Sequence, residues 1–289
     1  MKSVREYAVI FLVFFLGTHI NAQDDLLDEL DTTTENQSFE SPAFKAMRIA
    51  NLQSTKIAAK GDLYFYVSHR FGTLQNGIDT FFGFDNANTR IQFAYSFWEG
   101  VQFSISRESL RKTYTGAIKY RLARQSGKFP VTVVGYNSIN INTEINENTL
   151  PNITFSDRYS FGHQLLISRR FSKSFSFEIA PTYIRENVQD VRVTGTPNHN
   201  QFALGFGGRY KLSKRVSLNA DYAYNFSRNS NSIYNNPLTI GVDIETGGHV
   251  FQLLFSNAQS TTVPGFMSNA EGDWSKGNVF FGFNIVRVF

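Results

Sequence analysis

The sequence predicts an all-β chain folded as a single transmembrane, antiparallel, up-and-down β-barrel of about 12 strands. Three observations carry that prediction. The first is the chain's ending. Val279, Phe281, Phe283, Ile285 and Phe289 fall on one parity, and Asn278, Gly282 and Asn284 fall on the other. A period of two with a large apolar face suits a strand whose outer side meets lipid. The second is composition. Aromatics reach 15 %, with 29 Phe and 13 Tyr against 2 Trp, while charged residues are 18 %, below the roughly 25 % of ordinary soluble chains. Mean hydropathy is nonetheless −0.25. Lipid-out, polar-in alternation produces that combination, whereas membrane helices produce continuous apolar runs. The third is the spacing of links between strand-like runs, where short and long connections alternate as in bacterial barrels.

The N-terminus has the pattern of a cleaved secretory signal over residues 1–22. Lys2 and Arg5 precede an apolar core from Tyr7 to Leu16, and small Ala22 stands before Gln23. That core is too short to span a bilayer comfortably as a helix. Residues 23–43 read as an acidic, flexible tail. Gln23 to Glu40 carries Asp24, Asp25, Asp28, Glu29, Asp31, Glu35 and Glu40 and no Lys or Arg, with little apolar surface to bury. Residues 44–61 are harder to place. Phe44, Met47, Ile49, Leu52 and Ile57 alternate loosely with Lys45, Arg48, Lys56 and Lys60. A short helix, a lumen segment and an extra strand all remain open.

From Asp62 to Phe289 strand-like runs fall at 62–71, 90–98, 101–107, 113–123, 130–140, 158–170, 174–186, 200–211, 215–227, 238–246, 249–257 and 278–289. Period-two faces recur, as in Ile91/Phe93/Tyr95/Phe97, Phe202/Leu204/Phe206 and Val216/Leu218/Ala220/Tyr222. Many runs approach the 9–11 residues of a tilted spanning strand. The links at Glu99-Gly100, 125–128, 172–173, 212–214 and 246–248 are short. Those at 72–89, 108–112, 141–157, 187–199, 228–237 and 258–277 are mostly longer, so both chain ends are expected in the periplasm.

Placing the aromatic faces outward turns Arg90, Lys119, Arg121, Glu178, Arg209, Asp221, Asp243 and Glu245 inward. A lipid-facing charge at mid-depth would cost roughly 2–4 kcal/mol, so this assignment is favoured. Arg287 shares the parity of Phe289. It sits near the interface, where the cost falls to roughly 0–1 kcal/mol and the side chain can snorkel. Tyr64 and Tyr66 take the inward parity and either line the lumen or pack on the preceding segment.

The order and spacing of several short stretches resemble the outer-membrane β-barrel family common in Bacteroidetes-type bacteria. They are Lys60-Gly61-Asp62-Leu63 leading to His69-Arg70-Phe71-Gly72; Phe82-Gly83-Phe84-Asp85-Asn86-Ala87-Asn88; and Lys112-Thr113-Tyr114 with Lys119-Tyr120-Arg121. Next come Ala180-Pro181-Thr182-Tyr183, Gly207-Gly208-Arg209-Tyr210 and Thr246-Gly247-Gly248-His249-Val250-Phe251. The ending from Gly282 to Phe289, Arg287 included, matches as well. The resemblance spans about residues 44–289 and implies fold and location. The family has no assigned activity or catalytic residues to carry over.

Chemistry-bearing residues are few. The chain has no Cys, which excludes disulfides, a lipidated N-terminal Cys, haem attachment and thiol catalysis. The five His, at 19, 69, 163, 199 and 249, show no metal-ligand spacing, and no nucleophile elbow accompanies them. No catalytic, cofactor or metal site is therefore expected, and the chain is not read as an enzyme. The net charge of +4 is scattered over many turns, which argues against nucleic acid as a partner. His69 and Arg70 are candidates for the outer rim, either binding an anion or bonded to a loop carboxylate such as Asp85. Lys119, Arg121 and Arg209 form either a basic lumen stripe or ion networks with Glu178, Asp221 and Asp243. Phe281, Phe283, Ile285 and Phe289 mark the barrel-closing strand.

Location in the cell outer membrane follows, with outer-membrane lipid and the barrel assembly machinery as partners. Two functions remain. One is a narrow pore or transporter for small polar or anionic solutes. The other is a non-conducting barrel that holds a surface partner, or a periplasmic partner through residues 23–60.

Overall fold

Each strand of the computed structural model is paired with its sequence neighbour, and β1 closes on β12. The structure describes residues 41–148, 150–188, 198–229 and 232–289. The expected signal segment 1–22 and residues 23–40 of the expected acidic tail lie outside them.

The strands are β1 (Leu63–Thr73), β2 (Ala87–Trp98), β3 (Val101–Glu108), β4 (Thr113–Ala123), β5 (Thr132–Asn142) and β6 (Tyr159–Arg170). They continue as β7 (Phe175–Glu186), β8 (Asn200–Lys211), β9 (Val216–Asn225), β10 (Leu238–Thr246), β11 (His249–Ser256) and β12 (Phe280–Val288). All pairings are antiparallel, in one closed barrel of these 12 strands. Closure removes the unpaired edges that an open sheet would expose. At the seam Phe65 opposes Arg287 and Val67 opposes Ile285. Beyond the last ladder residue, Leu63 and Phe289 exchange backbone hydrogen bonds at 3.2 and 2.9 Å.

Alternation decides which side chain faces which way. In β2, Asn88, Arg90, Gln92, Ala94 and Ser96 are buried inward, while Ile91 and Phe93 stay exposed on the outer face. Outer aromatics pair across strands, as Phe65 and Phe93 do with ring centroids 5.2 Å apart. Phe281, Phe283 and Ile285 take the outer face of β12. Val279, placed on that face from sequence, instead precedes the strand. It is buried, and its carbonyl accepts from the Leu74 amide at 2.9 Å.

One end of the barrel, the turn end, carries the links 99–100, 124–131, 171–174, 212–215 and 247–248 and both ends of the barrel sequence. The other, the loop end, carries 74–86, 109–112, 143–158, 187–199, 226–237 and 257–279. The expected alternation of short and long links is not strict. The 109–112 link at the loop end is shorter than 124–131 at the turn end. Pro130 has no N–H to give a ladder, so β5 begins only at Thr132. The lengthened turn is fixed by Gln125, whose side chain exchanges hydrogen bonds with the backbone of Arg170 at 2.8 and 3.0 Å. The two-residue turns rely on Gly100, at φ +77°, and Gly248, at φ +93°, a conformation that side-chain-bearing residues rarely adopt.

Candidate functional site

The lumen is where the inward polar residues converge, and two segments of the chain fill it. The first, residues 43–60, is a hairpin. Arg48 bridges Gln53, the Ile49 amide donates to Leu52 O, and the Ser54 amide donates to Met47 O. Its two limbs lead from the turn end and its tip lies at Ala50-Asn51. Phe44, Met47, Ile49, Leu52 and Ile57 are all buried, each burial contributing roughly 1.5–3 kcal/mol. The second segment is the β11–β12 loop, folded inward from the loop end. It contains the short helix α1 (Val263–Met267), capped by Thr262, whose side chain accepts from the Gly265 amide. Val263, Phe266 and Met267 join Phe44, Ile49, Leu52 and the wall residues Val134, Leu166 and Ile184 in one apolar core.

The wall makes room for this filling. A Cβ at Gly207 would come within 2.2 Å of Ile49 Cδ1. A larger residue there would force the Ile49 side chain to move. Tyr64 and Tyr66 pack with Met47, Ala58, Ala94 and Val286 in a second cluster. The Tyr66 hydroxyl donates to Gln252 Oε1 at 2.8 Å.

The polar contacts explain how a non-helical segment with few internal bonds tolerates burial. Buried backbone groups need partners, and here wall side chains supply them. Asp221 Oδ2 accepts from the amides of Ala50, Asn51 and Leu52 at 3.0, 2.7 and 2.9 Å. Asn51 Nδ2 donates to Thr239 Oγ1 and Ser256 Oγ, and Asn51 Oδ1 accepts from Arg70 Nη2 at 2.6 Å. Asn284 Nδ2 donates to Ala50 O, and Gln252 Nε2 to Ile49 O. Lower on the hairpin, Lys119 Nζ donates to Met47 O at 2.9 Å and Ser54 O at 2.8 Å. Glu178 Oε2 accepts from the Thr55 amide at 2.9 Å. Gln102 and Ser96 hold the amide and carbonyl of Ala58. Strands β1 to β4, β6, β7 and β9 to β12 thus each grip the hairpin.

The loop has its own anchor. Glu108 accepts from the Thr261 amide at 2.7 Å, the Thr261 and Ser260 hydroxyls at 2.9 Å each, and Asn88 Nδ2 at 2.9 Å. Arg90 Nη1 donates to Thr261 O. Arg48 Nη1 reaches both Asn51 O at 2.9 Å and Thr261 O at 2.8 Å, joining hairpin to loop. Above the loop a recess of about 250 Å³ remains, bordered by Glu108, Arg111, Glu144, Arg158, Glu186 and Pro264.

The rim candidates, and the cations read from sequence as either a basic stripe or ion networks with Glu178, Asp221 and Asp243, are dispersed in the structure. His69 and Arg70 point to opposite faces and cannot act as a rim pair. His69 stacks on Phe283 on the outside, its Nδ1 2.8 Å from Thr89 Oγ1, whereas Arg70 is buried against the hairpin tip. Neither touches Asp85 among the contacts described. Lys119, Arg121 and Arg209 do not form a stripe. Lys119 is bound to hairpin carbonyls, Arg121 pairs with Glu99 in the β2–β3 turn at 2.8 Å, and Arg209 pairs with Glu245 and Ser217. Asp243 accepts from Gln252 at 2.8 Å. At Glu99 the Arg121 hydrogen bond outweighs partial burial and holds the carboxyl below its ordinary range. Asn51, Gln252, Asn284, Glu108 and Thr261 were not anticipated. The one signal for three of them was inward parity in a strand, since Glu108, Gln252 and Asn284 all share the lumen face of their strands. Among the described residues no group of three or more His, Cys, Asp or Glu could hold a metal ion.

The fold has structural counterparts. The NanC porin superposes with a TM-score of 0.50 at 10% identity, over 78% of this chain and 98% of its own. The KdgM porin gives a TM-score of 0.47 at 7% identity, over 79% and 99%. The outer membrane phospholipase A from Escherichia coli gives 0.43 at 13% identity, over 78% and 90%. Among curated proteins none matches the chain in sequence. The model of the family described as "Membrane bound beta barrel domain (DUF5777)" matches residues 44–289, and the chain belongs to that family of membrane-bound β-barrels.

Proposed function

We propose that this chain is an outer-membrane barrel sealed along its axis by its own hairpin and loop, which holds a partner rather than conducting solutes through an open lumen. The short turns and both chain ends would face the periplasm, as in barrels with short periplasmic turns and longer outer loops. The observation that carries the reading is the clamp at the hairpin tip, where one buried carboxylate accepts three consecutive amides. A buried amide left without its acceptor costs roughly 1–3 kcal/mol, and withdrawal would orphan three at once, so such a tip does not leave its seat readily. The recess of about 250 Å³ at the loop end is the place left for a surface partner. Single-channel recording on the folded full chain tests this reading. It predicts silence for the full chain and a steady conductance after deletion of residues 41–60. A steady open conductance in the full chain would overturn it.

A second reading, a gated passage for small polar or anionic solutes, is favoured by the chemistry of the wall. Asn51 and its neighbours face Asp221, Thr239, Gln252, Ser256 and Asn284, groups that water hydrates readily once the hairpin withdraws. It predicts brief openings in the full chain whose ion preference changes in Lys119→Glu.

A further inference from the structure

Charge is not spread evenly around the turn end. Three successive turns, between β4 and β5, β6 and β7, and β8 and β9, carry only cations. Arg124 and Lys128 lie in the first, Arg169 and Lys173 at the second, and Lys214 and Arg215 in the third. No Asp or Glu falls in 121–132, 169–177 or 211–217. The opposite arc is mixed, with Asp62, Glu99 and Glu245 among Lys45, Lys60 and Arg287; Glu245 holds Lys45 and also Arg209 of β8, and Glu99 reaches across to Arg121 of β4. Exposed aromatics stand among the cations of the basic arc: Phe129, Phe171, Phe175 and Tyr210 are all exposed. Arg169 lies on the outer face over the Phe171 ring, 5.2 Å from its centroid.

These two features select one kind of surface. Aromatics placed at the end of a lipid-facing wall mark the membrane interface, where an apolar body and a polar neighbour are both accommodated. Cations at that same level face headgroups, and their apolar stems lie along the wall. A purely aqueous acidic partner would match the cations and leave the rings exposed. We infer that the arc from β4 to β9 is a binding surface for the headgroups of anionic phospholipids. The barrel would therefore gather them on one side of its turn end. The mixed arc on the other side has no such preference. The inference does not depend on whether the lumen conducts.

The test is association of spin-labelled lipids with the full chain reconstituted in phosphatidylcholine vesicles. Labelled phosphatidylglycerol is expected to be enriched at the protein boundary several-fold over labelled phosphatidylcholine. The enrichment should fall towards parity at 1 M salt, where the Debye length shrinks to about 3 Å. It should also fall in the triple variant Lys128→Glu, Lys173→Glu, Lys214→Glu, one exposed change per turn. The matched loop-end variant Lys112→Glu, Arg185→Glu, Lys276→Glu should keep it. Equal association of the two lipids with the unmodified chain would overturn the inference. So would an enrichment that the turn-end variant leaves unchanged while its barrel still folds, as judged by heat-modifiable gel migration.

Discussion

The hairpin and the loop that fill the lumen are held in different ways. The hairpin 43–60 is gripped mainly by its backbone: Asp221, Lys119, Glu178, Gln102, Gln252 and Asn284 all bond to its amides or carbonyls. The loop is anchored at Glu108 on β3, which collects the amide and hydroxyl of Thr261 and the hydroxyl of Ser260, and again further along, where Arg228 holds the Met267 and Ser268 carbonyls and Glu186 holds Asn269. Backbone recognition fixes where a segment lies while leaving much of its side-chain content open. Recognition through hydroxyls, as at Ser260 and Thr261, ties a segment to particular side chains. The hairpin's tip therefore rests mainly on its backbone, and the Ser260–Thr261 seat of the loop also on its side chains.

The largest expected effect of a single change is at the hairpin tip. Asp221→Ala removes the acceptor of three buried amides, which have no other partner of comparable geometry. Leaving a buried amide without its acceptor costs roughly 1–3 kcal/mol, and three lose theirs together here. Amide hydrogen exchange at Ala50, Asn51 and Leu52 should accelerate on the order of 10²–10³-fold, at about 1.4 kcal/mol per factor of ten. Exchange in the β6–β7 ladder should be little altered. If the three amides exchange at the original rate, the clamp is not what seats the tip.

Glu108→Gln gives an intermediate effect. The amide side chain keeps one oxygen for Thr261 but loses the charge, and its NH₂ group meets the Ser260 hydroxyl, which can turn to accept. A charge-assisted hydrogen bond is about twice as strong as a neutral one, so a loss of roughly 1–2 kcal/mol is expected. Limited proteolysis within 257–272 should speed up by about one order of magnitude, with the hairpin amides unaffected. Equal loosening of both segments would show that Arg48, which bonds to each, couples them into one unit.

The barrel itself was legible because its physics is local. Each strand's parity separates apolar from polar residues, and a one-residue slip would reverse every face, so the pattern fixes register as well as strand number. Strand ends moved where a local exception intervened. Pro130 delays β5, and β1 runs on to Thr73 across a register shift between Arg70 and Thr73 against β12. The lumen filling was only one of three readings that the sequence left open for residues 44–61. Phe44, Ile49, Leu52 and Ile57 follow no helical or strand period, because their burial comes from a cavity built by distant strands. Nothing in the sequence singles out Asn51, and only the set of inward Asp, Gln and Asn side chains hints that something polar has to meet them. Arg70 and His69 were read together because they are adjacent. In a strand, adjacency means opposite faces.

The smallest expected effect lies at the turn end, outside both fillings. Glu99 Oε1 accepts from Arg121 Nη1 at 2.8 Å, but the Glu99 side chain is 63% exposed. Solvent screening limits such a pair to roughly 0–1 kcal/mol. Because the folded-state pKa of Glu99 is lowered, first by the Arg121 hydrogen bond, the sign is fixed. The contribution is fully present above the ordinary glutamate value of about 4.3. It is lost as the pH falls through the lower folded value. In urea unfolding from lipid vesicles, Glu99→Gln should be less stable than the unmodified chain by no more than about 1 kcal/mol at neutral pH. The two should converge as the pH falls through that lowered value. A difference that stays constant over that range would place the interaction in packing of the glutamate stem rather than in its charge. A difference much above that bound would mean the β2–β3 turn matters to the barrel as much as the clamped tip does, and burial would no longer rank the lumen contacts above the exposed turn.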